Sequence, residues 1–318
     1  MRELKQSMVD FLDVFNNVTV PNLLAKGFKA NVINKREGLA NTTRLCFTEK
    51  PEEVAQVLDD TIDGKGEYNV PVRIFNSHPD KARPVLIYFH GGGGLAGSVT
   101  VYDPIIRMLA NRTDYIVVAP EYRLAPESAY PAAEIDSRTV IYGVFDLLDN
   151  LNIPYVREVS IMGDSGGGAL STALARDVQH DKDLPLDAMV LIYPSVDYTM
   201  SFDSYKDDVN GKGYLLETAG VKWYFDQYFQ HGESRRLASP LFAEISSDMP
   251  RTLMFTAEFC PLRDEGYAYV KRLQEAGVEV EHHNIENMIH TFMNMRDLAK
   301  EESDFVYDKT KEFLWKNK

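Results

Sequence analysis

The sequence runs to 318 residues, 44% hydrophobic and 26% charged, which is enough apolar side chain for one α/β unit with a lid. Its 48 acidic and 34 basic residues leave a formal net charge of −14, which argues against nucleic acid and anionic membrane as partners, because both need basic surface. The two cysteines, Cys46 and Cys260, form no disulfide framework. The opening "MRELKQSMVDFLDVF" has no apolar h-region, and no apolar run approaches the ~18 residues of a membrane span, so a reduced, cytoplasmic protein is expected.

In chain order, the first 60 residues read as short amphipathic helices. "MVDFLDVF" and "PEEVAQVLDDTI" both space apolar residues at three and four. From there strands and helices alternate. "RPVLIYFH" (83–90) and "DYIVVAP" (114–120) are continuous apolar runs, the pattern of strands buried on both faces. Four more follow at 158–164, 187–194, 251–258 and 278–285. Helical patterns lie between and after them, at 103–112, 132–150, 167–180, 264–276 and 296–316. This alternation predicts a mostly parallel sheet with helices on both faces.

Residues 200–236 break the rhythm, being polar and aromatic with no strand run. We read residues 1–60 as N-terminal cap helices, 61–199 and 237–318 as the core, and 200–236 as an insertion that completes the cap. Trp223, Tyr224 and Phe225 in that insertion could line an acyl pocket or simply pack a helical layer.

"GDSGG" at 163–167 fits G-x-S-x-G and stands between a predicted strand and a predicted helix. There Ser165 would sit on a sharp turn with its hydroxyl exposed, as a nucleophile needs. "HGGGG" at 90–94 directly follows a strand, where bare glycines let backbone N–H groups reach an oxyanion. Gly92 and Gly93 are the donors expected there, with Gly166 as the third. A general base that exchanges protons near neutral pH points to histidine. Of the seven, His90 belongs to the glycine loop, His78, His180 and His231 lie in polar surroundings, and His282 and His283 fall within a strand pattern. His290 in "ENMIHTFM" follows the last strand and comes after the serine, the chain order this chemistry has on such a sheet.

Taken together, "HGGGG", "EYRLAPESAYPAAEID" (121–136), "GDSGGG" (163–168), "ASPLFAE" (238–244) and "PLRDEG" (261–266) resemble the hormone-sensitive-lipase family of α/β-hydrolase esterases, over residues 70–317. The resemblance implies an α/β-hydrolase fold with an eight-stranded, mostly parallel sheet and a helical cap. It implies carboxylester hydrolysis, with short acyl chains favoured, and neither metal nor organic cofactor. A small ester is then the partner, and an exposed edge strand offers a route to a homodimer.

The sequence departs from the family in two places. Thr291 replaces the glycine after the histidine, and Cys260 replaces the aspartate before "PLRDEG". That aspartate would hold the histidine's tautomer and stabilise the imidazolium. Pro261 suits a first helical position with Cys260 as its N-cap. Four readings stand open. Glu258, two residues back on the same strand, substitutes as the acid. Ser165 and His290 act as a dyad. Cys260, its thiol made acidic at a helix N-terminus, supplies a thiolate. Or catalysis is lost, and the pocket only binds a ligand, as in a receptor on the same scaffold. Asp264 is read as structural.

Overall fold

The structure is a computed structural model that describes residues 2–316. In chain order it has α1 (Gln6–Val14), α2 (Val20–Ala25), α3 (Val32–Cys46), β1 (Gln56–Ile62), β2 (Val70–Asn76), β3 (Arg83–Phe89), α4 (Val99–Thr113), β4 (Ile116–Pro120), α5 (Ala132–Asn150), β5 (Tyr155–Asp164), α6 (Gly166–Val178) and β6 (Leu186–Ile192). Then come α7 (Thr218–Tyr228), α8 (Arg235–Ala238), β7 (Arg251–Phe259), α9 (Arg263–Glu275), β8 (Val280–Ile289) and α10 (Lys300–Trp315).

The eight strands form one sheet in the order β1-β2-β4-β3-β5-β6-β7-β8. β2 is antiparallel to both β1 and β4, and every pairing from β4 through β3 to β8 is parallel. This is the α/β-hydrolase fold expected from the sequence.

The central strands bury both faces because their side chains alternate between two cores. Leu86 and Tyr88 of β3 pack on one side with Leu109 of α4 and Tyr307 of α10. Val85, Ile87 and Phe89 pack on the other with Val144 of α5, Leu174 of α6 and Leu273 of α9. Since β3 and β5 to β8 run parallel, their carboxyl ends open on one edge, and the loops after them converge there.

One expected helix is a strand. Residues 51–62 do not continue the helical region, which ends at Cys46; Gln56–Ile62 is β1, paired along its length with β2. Its three-and-four spacing of apolar residues is outweighed by pairing across to β2, where Asp59 faces Arg73 and accepts from its Nε at 2.7 Å. β2 itself, with Pro71 near its start, gave no buried-strand signal. β1 and β8 are the edge strands, so a sheet-to-sheet homodimer would have to use one of them.

Two of the N-terminal helices, α1 and α3, are tied to the body of the protein. α1 is tied down by the Lys5 N–H to the Asn287 carbonyl and by the Lys5 ammonium to Glu302 at 2.8 Å. α3 starts at an Asn31 cap whose side chain accepts the Asn34 N–H. From α3, Arg36 donates to the carbonyls of Leu95 and Ala125 and forms a two-pronged pair with Glu127. That places α3 directly above the glycine-rich loop.

Candidate active site

Ser165 stands between β5 and α6 with φ 52° and ψ −117°, a backbone conformation that costs a non-glycine residue energy. The turn persists because its neighbours fix it. The Ser165 N–H donates to the Ile192 carbonyl at 2.9 Å, and the Ser165 carbonyl accepts from Ala169 and Ser195. Any side chain at Gly167 would collide with the Phe89 carbonyl. The elbow is thus locked between β3 and β6.

The glycine loop follows β3. The Gly92 carbonyl accepts the N–H groups of Leu95 and Ala96, so it is turned into the loop. Across that trans peptide the Gly93 N–H points the opposite way, and Gly166 packs against the Gly93 nitrogen. Neither Gly92 nor Gly93 donates its N–H to another described residue. Gly92 adopts φ 127°, and a side chain there would run into the Ala96 carbonyl. His90, as its loop position suggests, is a buried neutral support: burial lowers its pKa to about 4, and its carbonyl accepts the Tyr122 hydroxyl at 2.6 Å.

Asp164, a residue that sequence reasoning passed over, ties this loop to the elbow. Its buried carboxylate accepts the hydroxyls of Tyr88 and Tyr102 at 2.9 and 3.0 Å and the Gly91 N–H. Burial raises its pKa to about 6 in spite of these bonds. The only sequence signal was its place beside the nucleophile.

His290 follows β8. Its Nε2 lies 2.8 Å from Ser165 Oγ and its Nδ1 lies 3.2 Å from Cys260 Sγ. The Tyr193 ring packs against the imidazole at a centroid distance of 4.6 Å. The imidazole is 4% exposed, and burial with no anion beside it lowers its pKa to about 3. Thr291, at the lost glycine, has φ 73°, a left-handed conformation unfavourable for a β-branched residue.

Cys260 is fully buried, and burial pushes its thiol up; the Leu262 N–H, 3.3 Å from Sγ, only partly opposes this. The thiol is therefore neutral, which removes the thiolate from the four readings. The reason lies in the helix: α9 begins at Arg263 with Leu262 at its cap, so Cys260 is not the N-cap and Pro261 is not the first helical residue. The Cys260 turn is braced by the insertion. Asn210 donates to the carbonyls of Glu258 and Cys260, and Ser204 donates to that of Pro261 at 2.6 Å. Asp264 pairs with Arg263 and accepts the Ser204 N–H.

Glu258 is not brought to His290. The pairing of β7 with β8 shifts register between Ala257 and Phe259, so the two-residue alternation that would align Glu258 with Cys260 breaks there. Its carboxylate instead pairs with Arg2 at 2.5 Å and Arg263 at 2.6 Å and accepts from Asn284 at 2.8 Å. It lines an outer cleft with Arg2, Glu3 and Asn287.

Above Ser165 and His290 lies a cavity of about 100 Å³, roofed by Leu39 of α3 and by Leu216, Val221, Tyr224 and Phe225 around α7. Of the three aromatics singled out in the insertion, Tyr224 and Phe225 line it and Trp223 does not. A side chamber of about 30 Å³ adjoins it, between Gly93 and Gly166 on one side and Tyr198, Phe225 and Tyr228 on the other. Among the described residues no cluster of three or more His, Cys, Asp or Glu could hold a metal ion, and no helix is long and apolar enough to cross a membrane.

A mostly parallel eight-stranded sheet with a serine at the strand-to-helix elbow defines an α/β hydrolase. Residues 86–294 match the family model described as the alpha/beta hydrolase fold. The chain belongs to that family, in its hormone-sensitive-lipase and carboxylesterase branch. It is 32% identical over 258 residues to the ethyl acetate hydrolase of Pseudomonas putida, covering 79% of this chain and 80% of that protein. It is 31% identical over 294 residues to an arylesterase of Saccharolobus solfataricus, covering 86% and 91%. The solved esterase of Pyrobaculum calidifontis is 30% identical with a TM-score of 0.84, covering 95% of this chain and 96% of that one.

Proposed function

We propose that this protein hydrolyses small carboxylic esters with short acyl chains, through an acyl-enzyme on Ser165. The observation that carries the reading is the 2.8 Å contact between Ser165 Oγ and His290 Nε2, in a cavity also lined by Gly92 and Gly93, whose N–H groups have no partner among the described residues. Ser165 Oγ attacks the ester carbonyl while His290 Nε2 takes its proton. The N–H groups of Gly92, Gly93 and Gly166 hold the oxyanion. His290 returns the proton to the departing alkoxide, and a water, deprotonated by the same nitrogen, cleaves the acyl-enzyme. The side chamber of about 30 Å³ supports short acyl groups.

Cys260 is a positioning residue in this reading. For Nε2 to accept the serine proton, Nδ1 must carry the other proton, and the sulfur is the acceptor within reach. The thiol thus holds the tautomer but supplies no charge to the imidazolium. In serine proteases, replacing the aspartate by a neutral residue that imposes the wrong tautomer lowers kcat by about 10⁴. With the tautomer kept, only the charge part of that loss applies here. Turnover of p-nitrophenyl acetate and butyrate, lost in Ser165→Ala, tests the reading, together with fluorophosphonate labelling of Ser165. No turnover and no labelling in the parent would instead favour a ligand-binding protein, the reading supported by the missing charge beside His290.

A further inference from the structure

The main cavity and the side chamber share Gly93, Gly166, Ser195 and Phe225. Ser195 therefore stands where the two spaces join, beside two of the glycines assigned to the oxyanion. Its backbone is held on both sides: its N–H donates to the Ser165 carbonyl at 3.3 Å, and the next N–H, of Val196, donates to the buried Glu265 carboxylate at 2.7 Å. A short side chain on so fixed a backbone has little freedom beyond rotation about one bond. Yet Ser195, 6% exposed, has a buried Oγ with no hydrogen-bond partner among the described residues.

Buried hydroxyls are normally paired, so an orphan at the wall of a substrate space needs a reason. Around it the chamber offers no small polar partner. Its other walls are Gly, Ala, Leu and Phe residues and the rings of Tyr198 and Tyr228, with Tyr198 packed edge-on against Phe225 at 5.2 Å. A plain alkyl acyl group entering the chamber would leave the hydroxyl stranded, whereas a substrate hydroxyl on the carbon next to the carbonyl would satisfy it. A site built to bond a substrate hydroxyl discriminates against the analogue that lacks one more strongly than an apolar pocket discriminates by size.

Resting on the esterase reading and narrowing its substrate, we propose that Ser195 is a specificity-determining residue that selects esters of short α-hydroxy acids, glycolate and lactate being the size that fits. The carbonyl carbon meets Ser165, the carbonyl oxygen meets the glycine N–H groups, and the α-hydroxyl exchanges a hydrogen bond with Ser195 Oγ.

The test compares near-isosteric pairs of esters on the wild type and on Ser195→Ala. The acyl pair is ethyl glycolate and ethyl propionate; the alcohol pair is 2-hydroxyethyl acetate and propyl acetate. Within each protein the ratio of kcat/KM values does not depend on the fraction of enzyme that is folded. Comparing the two proteins cancels the intrinsic reactivity of the esters. The glycolate-to-propionate ratio is expected to fall about tenfold or more in Ser195→Ala, while the alcohol-pair ratio stays within about twofold. An acyl-pair ratio equal in both proteins overturns the inference and leaves the esterase reading standing. So does a fall confined to the alcohol pair, which would put the hydroxyl on the leaving-group side. No turnover of any of the four esters by the wild type overturns both.

Discussion

The two ends of the Ser165–His290–Cys260 chain make an instructive contrast. At the serine end, a strained elbow is locked by close packing, and Gly92 and Gly93, whose N–H groups have no partner among the described residues, line the same cavity as Ser165. At the cysteine end the geometry persists but the charge is gone. Sγ still meets Nδ1 and still takes the Leu262 N–H, as a carboxylate would, and Asn210 still braces the turn. What is missing is an anion that could stabilise an imidazolium in the proposed mechanism. The comparison separates two duties usually credited to one aspartate: orienting the histidine and neutralising it.

The serine end is broken most severely by Ser165→Ala, expected to lower kcat by about 10³-fold or more on p-nitrophenyl butyrate, because among the described residues no other hydroxyl reaches Nε2. The histidine between the two ends gives a stability signature. An unfolded histidine titrates near 6.5 and the folded His290 near 3, so the unfolded chain binds the extra proton between these values. The stabilisation is therefore complete above about pH 6.5 and is lost as pH falls towards 3. In His290→Gln, denaturant unfolding between pH 6 and 4 should show a slope shallower by about 1.4 kcal/mol per pH unit.

The brace at the cysteine end is sharpened by Asn210→Ala. It removes one of the donors to each of the Glu258 and Cys260 carbonyls, which keep bonds from Arg2 and Arg263, and should cost about 1 kcal/mol in urea unfolding, with a fall in kcat as the Cys260 turn loosens. Thr291→Gly relieves a left-handed β-branched residue and should raise stability by about 1 kcal/mol, read as an increase in Tm. The smallest effect is that of Glu258→Gln. A carboxylate paired with Arg2 and Arg263 and remote from His290 should leave kcat within about twofold of wild type.

What the sequence revealed follows from where the information is local. Apolar runs marked β3 to β7, whose central residues are covered on both faces, while β8 at the edge showed as a more mixed run, and G-x-S-x-G with the glycine loop located the serine end. β1 and β2 were hidden because they form the margin of the sheet, mixing Asp59, Asp60, Pro71 and Arg73 with apolar residues. The Asn210 brace left no pattern, since one polar residue in an irregular segment signals nothing until the fold brings it beside Cys260. Glu258 stayed open as a substitute acid because the register shift that turns it away is one no spacing rule anticipates. Cys260 was misread as an N-cap, and the thiolate reading was left open, because its depth of burial and the true start of α9 are three-dimensional facts.

The most direct test of the separated duties is the pH–rate profile of Cys260→Asp against the parent on p-nitrophenyl butyrate. If the thiol orients His290 without compensating its charge, aspartate raises kcat by about 10²-fold or more and moves the acid limb of kcat/KM to higher pH, because a carboxylate stabilises the imidazolium. An unchanged kcat with an unmoved acid limb in correctly folded Cys260→Asp would mean that another group already supplies the charge, and would contradict the account.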